Sequence, residues 1–572
     1  MHLQQPETFD AVVVGSGISG GWAAKELTEH GLRTLVLERG RDLVHGHAGY
    51  ANEHKPAWEF AHRNRGVGPA QAPTQRVQSR IPWMDEAALP LYQDDTEHPY
   101  VEEAPFTWIQ GRTIGGKSLL WGRHCYRWSD LDFEANLRDG HGVDWPIRYA
   151  DLAPWYSYVE KFAGVSGEAL GLAHLPDGEF QPPMALNAGE MHLREAIGRQ
   201  FPGRHLTIGR VAVLTRAIGD RAACHYCGPC ERGCSTGSYF SSLSSTLPAA
   251  RRTGRLTLRS RAMAHSVMYD EKNGRALGVR YVDLDSGELR EVRARVVFLC
   301  ASTLGTTRVM LHSTSARFPN GIGNDSGALG HYLMDHHYQV GAGGEVPGLL
   351  DRYYEGNRPT GYYIPRYRNL AGPDSDKLGY VRGFGHQGSV GRAGWNRGAT
   401  ARGIGVDLKH QLHDPGPWSA FMGAWGETLP RDDNYALLDA TQKDRWGVPL
   451  LRVKCTWGPN ELAMRKDAVA QAAAMLEAAG CRGITTHDNH KAGEYGAEPG
   501  LCIHEMGTAR MGRDPKTSVL DAHNRAHAVP NLYVTDGACM TSSACQNPSI
   551  TYMALTARAA AHAVEQFNQR AI

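Results

Sequence analysis

The chain has 572 residues, 61 basic against 60 acidic side chains, and 41% hydrophobic content. That length is too great for one compact core and predicts at least two domains, while the near-zero net charge, with no Lys/Arg block, argues against nucleic acid as a partner. No apolar run reaches the roughly eighteen residues of a membrane span, and the opening MHLQQPETFD has neither the basic nor the apolar segment of a secretory signal.

The first elements follow at once. In FDAVVVGSGISGGWAAKELTEHGLRTLVLERG, Ala11 to Val14 reads as a short buried strand and a helix runs to about Glu29. Gly31 ends that helix, and Thr34 to Leu37 forms the next strand, closing on Glu38. Gly15, Gly17 and Gly20 stand between strand and helix as G-x-G-x-x-G, the dinucleotide fingerprint in its full context. The glycines permit a tight turn and close backbone approach to a pyrophosphate. The helix N-terminus offers oriented N–H groups, and Glu38 is placed to accept from an adenosine ribose. FAD and NAD share this fingerprint. Residues 41–110 are polar and lack periodicity, as a lid or interface would. A second glycine-rich turn, GRTIGGKSLLWG, follows at Gly111–Gly122.

Four cysteines then crowd into CHYCGPCERGC: Cys224, Cys227, Cys230 and Cys234, spaced C-x2-C-x2-C-x3-C, with Gly228, Pro229 and Gly233 to turn the loop. The spacing resembles the iron–sulfur run of bacterial ferredoxins, with Ser235 where that pattern has proline. Structural zinc more often splits its ligands into two separated pairs, and two loop disulfides are the other alternative. Because no second run exists, Cys224, Cys227 and Cys230 are expected to matter more than Cys234, which either completes a [4Fe–4S] centre or stands aside from a [3Fe–4S] one. The remaining cysteines (Cys125, Cys300, Cys455, Cys481, Cys502, Cys539, Cys545) are scattered singly, as buried reduced thiols are, and point to folding in a reducing compartment.

Downstream, Ser241–Arg252 has helical character. Strand-like stretches at Ala262–Tyr269, Ala276–Asp283 and Arg290–Leu299 are separated by turns at Lys272-Asn273-Gly274 and Asp285-Ser286-Gly287, a β-meander. Residues 338–457 carry β-rich patches such as TGYYIPRYR and VPLLRVKCTW. A helix over Glu461–Ala479, with Leu462, Val469, Ala473 and Leu476 on its expected buried face, ends at Gly480. NLYVTDGACM gives a strand running into Asp536 and Gly537, and a last helix over Ile550–Gln569 follows Asn547-Pro548.

Taken together, the first fingerprint, the GRTIGG turn, CASTLGTTRVMLHST, HEMGTARMG and TDGACMTSSACQNPSITYMALTARAA resemble the glucose–methanol–choline (GMC) oxidoreductase family along essentially the whole chain. The resemblance implies an α/β fold (α+β overall): a Rossmann-type FAD-binding domain with a second substrate domain built on an antiparallel β-sheet. The FAD domain is expected to be discontinuous, over residues 1–48, 100–130, 205–337 and 498–572. Residues 49–99 would form a lid or interface insert, and 131–204 with 338–497 the substrate domain. By position, Gly115, Gly116 and Ser118 would lie along the pyrophosphate and flavin, and Asp536 with Gly537 at the phosphate–ribityl portion. Some relatives link flavin to a histidine in the second glycine turn; Leu119 and Leu120 stand there, so FAD is expected without a covalent bond, His124 being the nearest histidine.

Alcohol dehydrogenation needs a base for the hydroxyl proton and an acceptor for the hydride. The resemblance places the base at His504 and its partner at Asn547, with hydride passing to flavin N5. His336, His337, His487 and His490 read as structural or pocket-lining. Within that family the chain resembles bacterial sugar, gluconate and fructose dehydrogenase catalytic subunits. That implies a sugar or glycoside substrate, a favoured [3Fe–4S] cluster draining electrons, a small companion subunit, and a cytochrome or other acceptor. The chain would then reach the periplasm as passenger of a signal-bearing small subunit, or else remain cytoplasmic. An oxygen-using oxidase without a cluster is the alternative, and a non-catalytic FAD subunit is a third reading that the pairing of His504 with Asn547 opposes.

Overall fold

The structure is a computed structural model that describes residues 7–45, 50, 57–63, 66–354, 356–394, 397–398 and 401–572. The expected signal-free start at 1–6 and parts of the 49–99 insert lie outside the described residues.

The fingerprint folds as its pattern predicts. The strand Glu7–Val14 feeds the helix Ile18–Glu29, and Gly31, at φ 92°, turns the chain into the strand Thr34–Leu37. These strands pair in parallel and carry side chains buried on both faces, as a sheet covered on each side requires. Leu256–Arg259 extends the sheet in parallel beyond Thr34–Leu37, and Leu289–Leu299 lies parallel on the other side of Glu7–Val14. Leu289–Leu299 then forks. Its first half pairs antiparallel with Arg275–Asp283, and its end pairs in parallel with Leu532–Val534. Ala262–Asp270 completes the meander, with turns where the sequence placed them. The seven strands thus gather segments from both ends of the chain.

The final helix, Ser549–Asn568, packs on Ile18–Glu29 and buries Ile550, Met553, Leu555 and Val564. Each such side chain contributes roughly 1.5–3 kcal/mol when fully buried. The helix Tyr149–Ala163, expected with the substrate half, instead packs on this last helix. Its Tyr158 hydroxyl accepts from Lys25 Nζ at 2.7 Å, next to the buried Lys25–Glu26 pair.

The second layer is a six-stranded antiparallel sheet in the order Arg482–Asp488, Val340–Val346, Trp418–Gly426, Phe384–Arg392, Tyr362–Ile364, Thr207–Ile208. The helix Pro459–Ala478 covers it, but with a rotated face. Met464, Ala468, Ala472, Met475 and Leu476 are buried, while Leu462, Val469 and Ala473 are only partly covered. The buried face thus mixes small alanines with Met464, Met475 and Leu476. The described part of 49–99 is three short 3-10 turns and a small core of its own, including Val67, Ile81, Met84 and Tyr92. No helix among the described residues is long and apolar enough to cross a membrane.

Candidate active site

One cavity of about 300 Å³ runs from the nucleotide fingerprint to the junction of the two sheets. Its wall includes Gly15, Gly17, Glu38, Gly116, Ser118, Asp536 and Gly537, and also His504 and Asn547. The folding of the chain therefore brings most of the sequence-predicted residues to one space.

The three fingerprint glycines have separate duties. Gly15, at φ 95°, would put a Cβ 2.3 Å from the Cys300 carbonyl, and a Cβ on Gly20 would fall 1.9 Å from the Gly15 carbonyl. Gly20 is absent from the cavity wall; it sets the approach of helix to strand. Gly17 has an ordinary φ of −69°, and its Cβ would meet only the Gly115 carbonyl, at 3.9 Å. Space beside Gly17 is kept for something other than protein. Gly17→Ala should accordingly fold normally yet weaken FAD binding by at least about tenfold, or ~1.4 kcal/mol. Gly20→Ala should lower the melting temperature even without cofactor, because overpacked backbone costs about 1–3 kcal/mol or more. Calorimetry of apoprotein alongside FAD titration separates the two; equal melting temperatures for both variants would contradict this division.

Glu38 is buried, and its carboxylate accepts from Ser16 N–H at 3.0 Å, Ser16 Oγ at 2.6 Å and Gly40 N–H at 2.7 Å. It braces the glycine loop while facing the cavity. Gly115, at φ 94°, makes the second turn and donates its N–H to Ser16 Oγ at 2.8 Å, so the two turns are tied together. Gly115 is absent from the cavity wall, whereas Gly116 lies in it. The Ser118 hydroxyl donates to the Gly115 carbonyl at 2.6 Å and accepts from Ser242 N–H at 3.0 Å. Asp536 accepts from Ala538 N–H at 3.0 Å and Thr306 Oγ1 at 2.6 Å, and burial raises its pKa to about 6.

The far end of the cavity holds the candidate catalytic pair. Asn547 Nδ2 lies 3.4 Å from His504 Nε2, and Asn547 Oδ1 accepts from Gln387 Nε2 at 2.7 Å. Gln387 thereby fixes the amide with its N–H group toward the imidazole. The preceding Ile503 has φ 65°, a left-handed conformation costing a β-branched residue roughly 1–2 kcal/mol. Asp335 holds that conformation by accepting both Gly500 N–H, at 2.7 Å, and His504 N–H, at 3.0 Å. Asp335 is fully buried, and burial lifts its pKa to about 7. Burial likewise depresses the His504 pKa, with His336, Lys117 and His124 adding to the effect, so its imidazole is neutral at ordinary pH.

Several wall residues were not singled out from sequence. Lys117 pairs with Glu505 at 2.7 Å, inside two motifs whose glycines and histidine drew attention instead. Glu505 Oε1 and the Tyr552 hydroxyl are buried with no partner, and both residues line the cavity. An orphaned acceptor and an orphaned hydroxyl beside the bare glycine backbone of the cavity wall are what a bound polar cofactor would satisfy; FAD fits these residues. Gln387 lies on a strand far from any motif, and no local signal marks it.

The four run cysteines line a second, smaller cavity with Val213, Tyr239 and Asn357, and all eleven cysteines are free. Cys224, Cys230 and Cys234 pack against one apolar wall that includes Val213 and Tyr239, whereas Cys227 is exposed. That ranking differs from the expected one, in which Cys234 was the outlier. Tyr226 N–H donates to Cys224 Sγ at 3.4 Å. Among the described residues, only His336, Cys502 and His504 bring three such donor atoms within 4.8 Å of one another. The thiols are thus spread more widely than tetrahedral zinc, which sets sulfurs about 3.8 Å apart. The cavity's free space is about 10 Å³, no more than one water needs, so the loop would have to open to take an iron–sulfur core.

Two family models, both described as GMC oxidoreductase, match residues 10–338 and 430–556. The 2-methyl-1,2-propanediol dehydrogenase of Mycolicibacterium austroafricanum is 28% identical, covering 98% of this chain and 96% of its own. Paromamine 6'-oxidase of Streptomyces fradiae is 27% identical over 96% of this chain and 90% of its own. The fructose dehydrogenase large subunit of Gluconobacter japonicus is 25% identical over 96% and 97%. A solved structure of a formate oxidase mutant from Aspergillus oryzae shares the fold, with a TM-score of 0.61 at 13% identity over 100% of both chains. With fingerprint, second glycine turn and carboxyl-terminal blocks gathered around one cavity, the chain belongs to the GMC oxidoreductase family, FAD-dependent enzymes acting on CH–OH groups.

Proposed function

We infer that this chain is a dehydrogenase that oxidises a secondary or anomeric hydroxyl of a sugar or glycoside to a keto product or lactone, passing electrons through an iron–sulfur cluster to a separate acceptor. The observation that carries this reading is the proximity of its two cavities. Trp121, in the cofactor cavity wall, donates Nε1–H to the Phe240 carbonyl at 3.2 Å, and the adjacent Tyr239 lines the thiol cavity. Arg123 lies over the Tyr239 ring at 3.7 Å, filling the gap.

When bound, the flavin supplies the hydride acceptor. His504 Nε2 takes the hydroxyl proton, and Asn547 Nδ2 donates to the same oxygen and aligns it. Trp83, in the cavity wall, meets Tyr338 edge-on at 5.9 Å, and Tyr338 lies 5.5 Å from Trp425. Such rings offer apolar faces to the C–H side of a sugar. A small companion subunit and a cytochrome-type acceptor belong to this proposal, as does the division into discontinuous FAD domain, insert and substrate domain.

An anaerobic screen of sugars with an artificial electron acceptor, followed by product NMR, tests the substrate class; no flavin bleaching across the panel would remove it. The oxidase of Streptomyces fradiae supports a second reading, in which oxygen reoxidises the flavin and the thiols are structural. Iron and sulfide analysis decides between them.

The same proposal has FAD bound without a covalent link. Leu119 is buried and Leu120 lines the cavity where a linkage histidine would stand. Acid precipitation should release the flavin to the supernatant, and a yellow pellet would overturn this. His124 would then be the residue to examine, since it lines the same cavity.

A further inference from the structure

His504 needs more than a neutral ring to act as a base. An imidazole has two tautomers, and only the one with its proton on Nδ1 presents a lone pair at Nε2, the nitrogen beside Asn547. Which tautomer forms is set by the partner of Nδ1.

That partner is His336, a wholly buried residue outside the cavity wall. His336 Nδ1 lies 2.7 Å from His504 Nδ1, with the rings edge-to-face at 4.9 Å. The other nitrogen of His336, Nε2, is hydrogen-bonded to the Ala544 carbonyl. A carbonyl only accepts, so His336 Nε2 carries a proton. Burial pushes the His336 pKa down to about 4, so the ring is neutral and its Nδ1 is a lone pair. His504 must then be the donor of the shared bond.

We propose that His336 is a positioning residue that fixes the tautomer of His504: the chain Ala544 C=O, His336 Nε2–H, His336 Nδ1, His504 Nδ1–H leaves the Nε2 lone pair free toward the cavity. Cys502 Sγ, 3.3 Å from His504 Nδ1, is a weaker acceptor for the same proton. After His504 Nε2 has taken a substrate proton, its Nδ1–H still donates to His336, which holds the imidazolium in place. His336 passes no proton onward, because its other nitrogen is capped by a carbonyl. The inference rests on the reading of His504 as base, but concerns where its proton resides at rest.

Nitrogen-15 NMR of the FAD-loaded full chain, labelled at histidine, reads that proton directly, with His504→Gln assigning the signals. The wild-type protein should show a protonated Nδ1 and an unprotonated Nε2 at His504. His336→Leu should shift this population toward Nε2–H and slow carbethoxylation of His504 by diethyl pyrocarbonate about tenfold. His336→Asn, whose Oδ1 takes the place of Nδ1 as acceptor, should restore both signals; a purely structural role would not be rescued this way. A wild-type ring protonated at Nε2, or a His336→Leu protein with an unchanged tautomer, overturns the proposal. The wild-type spectrum decides even if the leucine variant does not fold. Neither readout needs turnover, so a failure of His504 as catalytic base would show separately, in flavin reduction.

Discussion

Replacing His504 by alanine should leave FAD bound and slow flavin reduction by about 10²–10⁴-fold, the range typical of a positioned base. Cofactor retention is expected because the glycine walls at Gly17 and Gly116 and the Asp536 turn are untouched. The backbone N–H of residue 504 would also still reach Asp335, so the loop stays anchored. What disappears is the His504 Nε2 lone pair set beside Asn547. Asn547→Ala should be milder, since it removes one hydrogen bond and the alignment held by Gln387 while the proton acceptor remains. The pH profile follows from the direction of the His504 shift. A base works when unprotonated, and burial lowers its pKa, so activity is present above the depressed value and lost only as pH falls through it. The acid limb should therefore lie below the ordinary histidine value of about 6.5. Anaerobic stopped flow on both variants checks these outcomes. Near-normal reduction by His504→Ala would refute the assignment, and an acid limb above neutrality would contradict the burial argument.

The parts of this molecule legible in the sequence are those whose determinants are local. The strand–helix–strand unit at residues 7–37 was readable because its glycine spacing answers to contacts inside the unit, as where Gly20 must clear the Gly15 carbonyl. The meander was readable from its turn residues. The six-stranded sheet was not, because its order depends on pairing between distant segments. Val340–Val346 sits between Arg482–Asp488 and Trp418–Gly426, and no local propensity specifies that. The strand Arg482–Asp488 is mostly exposed, so it lacks the apolar alternation that would mark it. The packing of the helix Tyr149–Ala163 was not legible for the same reason: its contacts are with the other end of the chain. At the site, His504 and Asn547 stand inside recognisable blocks. His336, Gln387 and Asp335 act only through contacts spanning more than a hundred residues. A histidine in MDHH looks alike whether it orients a base or merely packs.

Replacing Cys230 by serine should remove iron from the protein and abolish reduction of a cytochrome-sized acceptor, while substrate still bleaches the flavin. Cys230, like Cys224, belongs to both of two rival ligand sets. The family resemblance favours a three-iron cluster with Cys234 as its bystander. The packing instead groups Cys224, Cys230 and Cys234 on one apolar wall and leaves Cys227 exposed. Burial and the neighbouring thiols push the unloaded Cys230 thiol up to about 12, so holding it as a thiolate calls for a compensating charge such as bound iron. Cys230 and Tyr239 line the thiol cavity and none of the four run cysteines lines the cofactor cavity, which is why the two half-reactions should separate. The single replacements Cys227→Ser and Cys234→Ser then resolve the ligand set. A three-iron paramagnetic signal persisting only in Cys227→Ser supports the packing, and one persisting only in Cys234→Ser supports the spacing. Loss of the signal in both variants means that all four thiols hold the cluster. Iron near zero in anaerobically purified wild-type protein would end the cluster proposal and put the oxidase reading first.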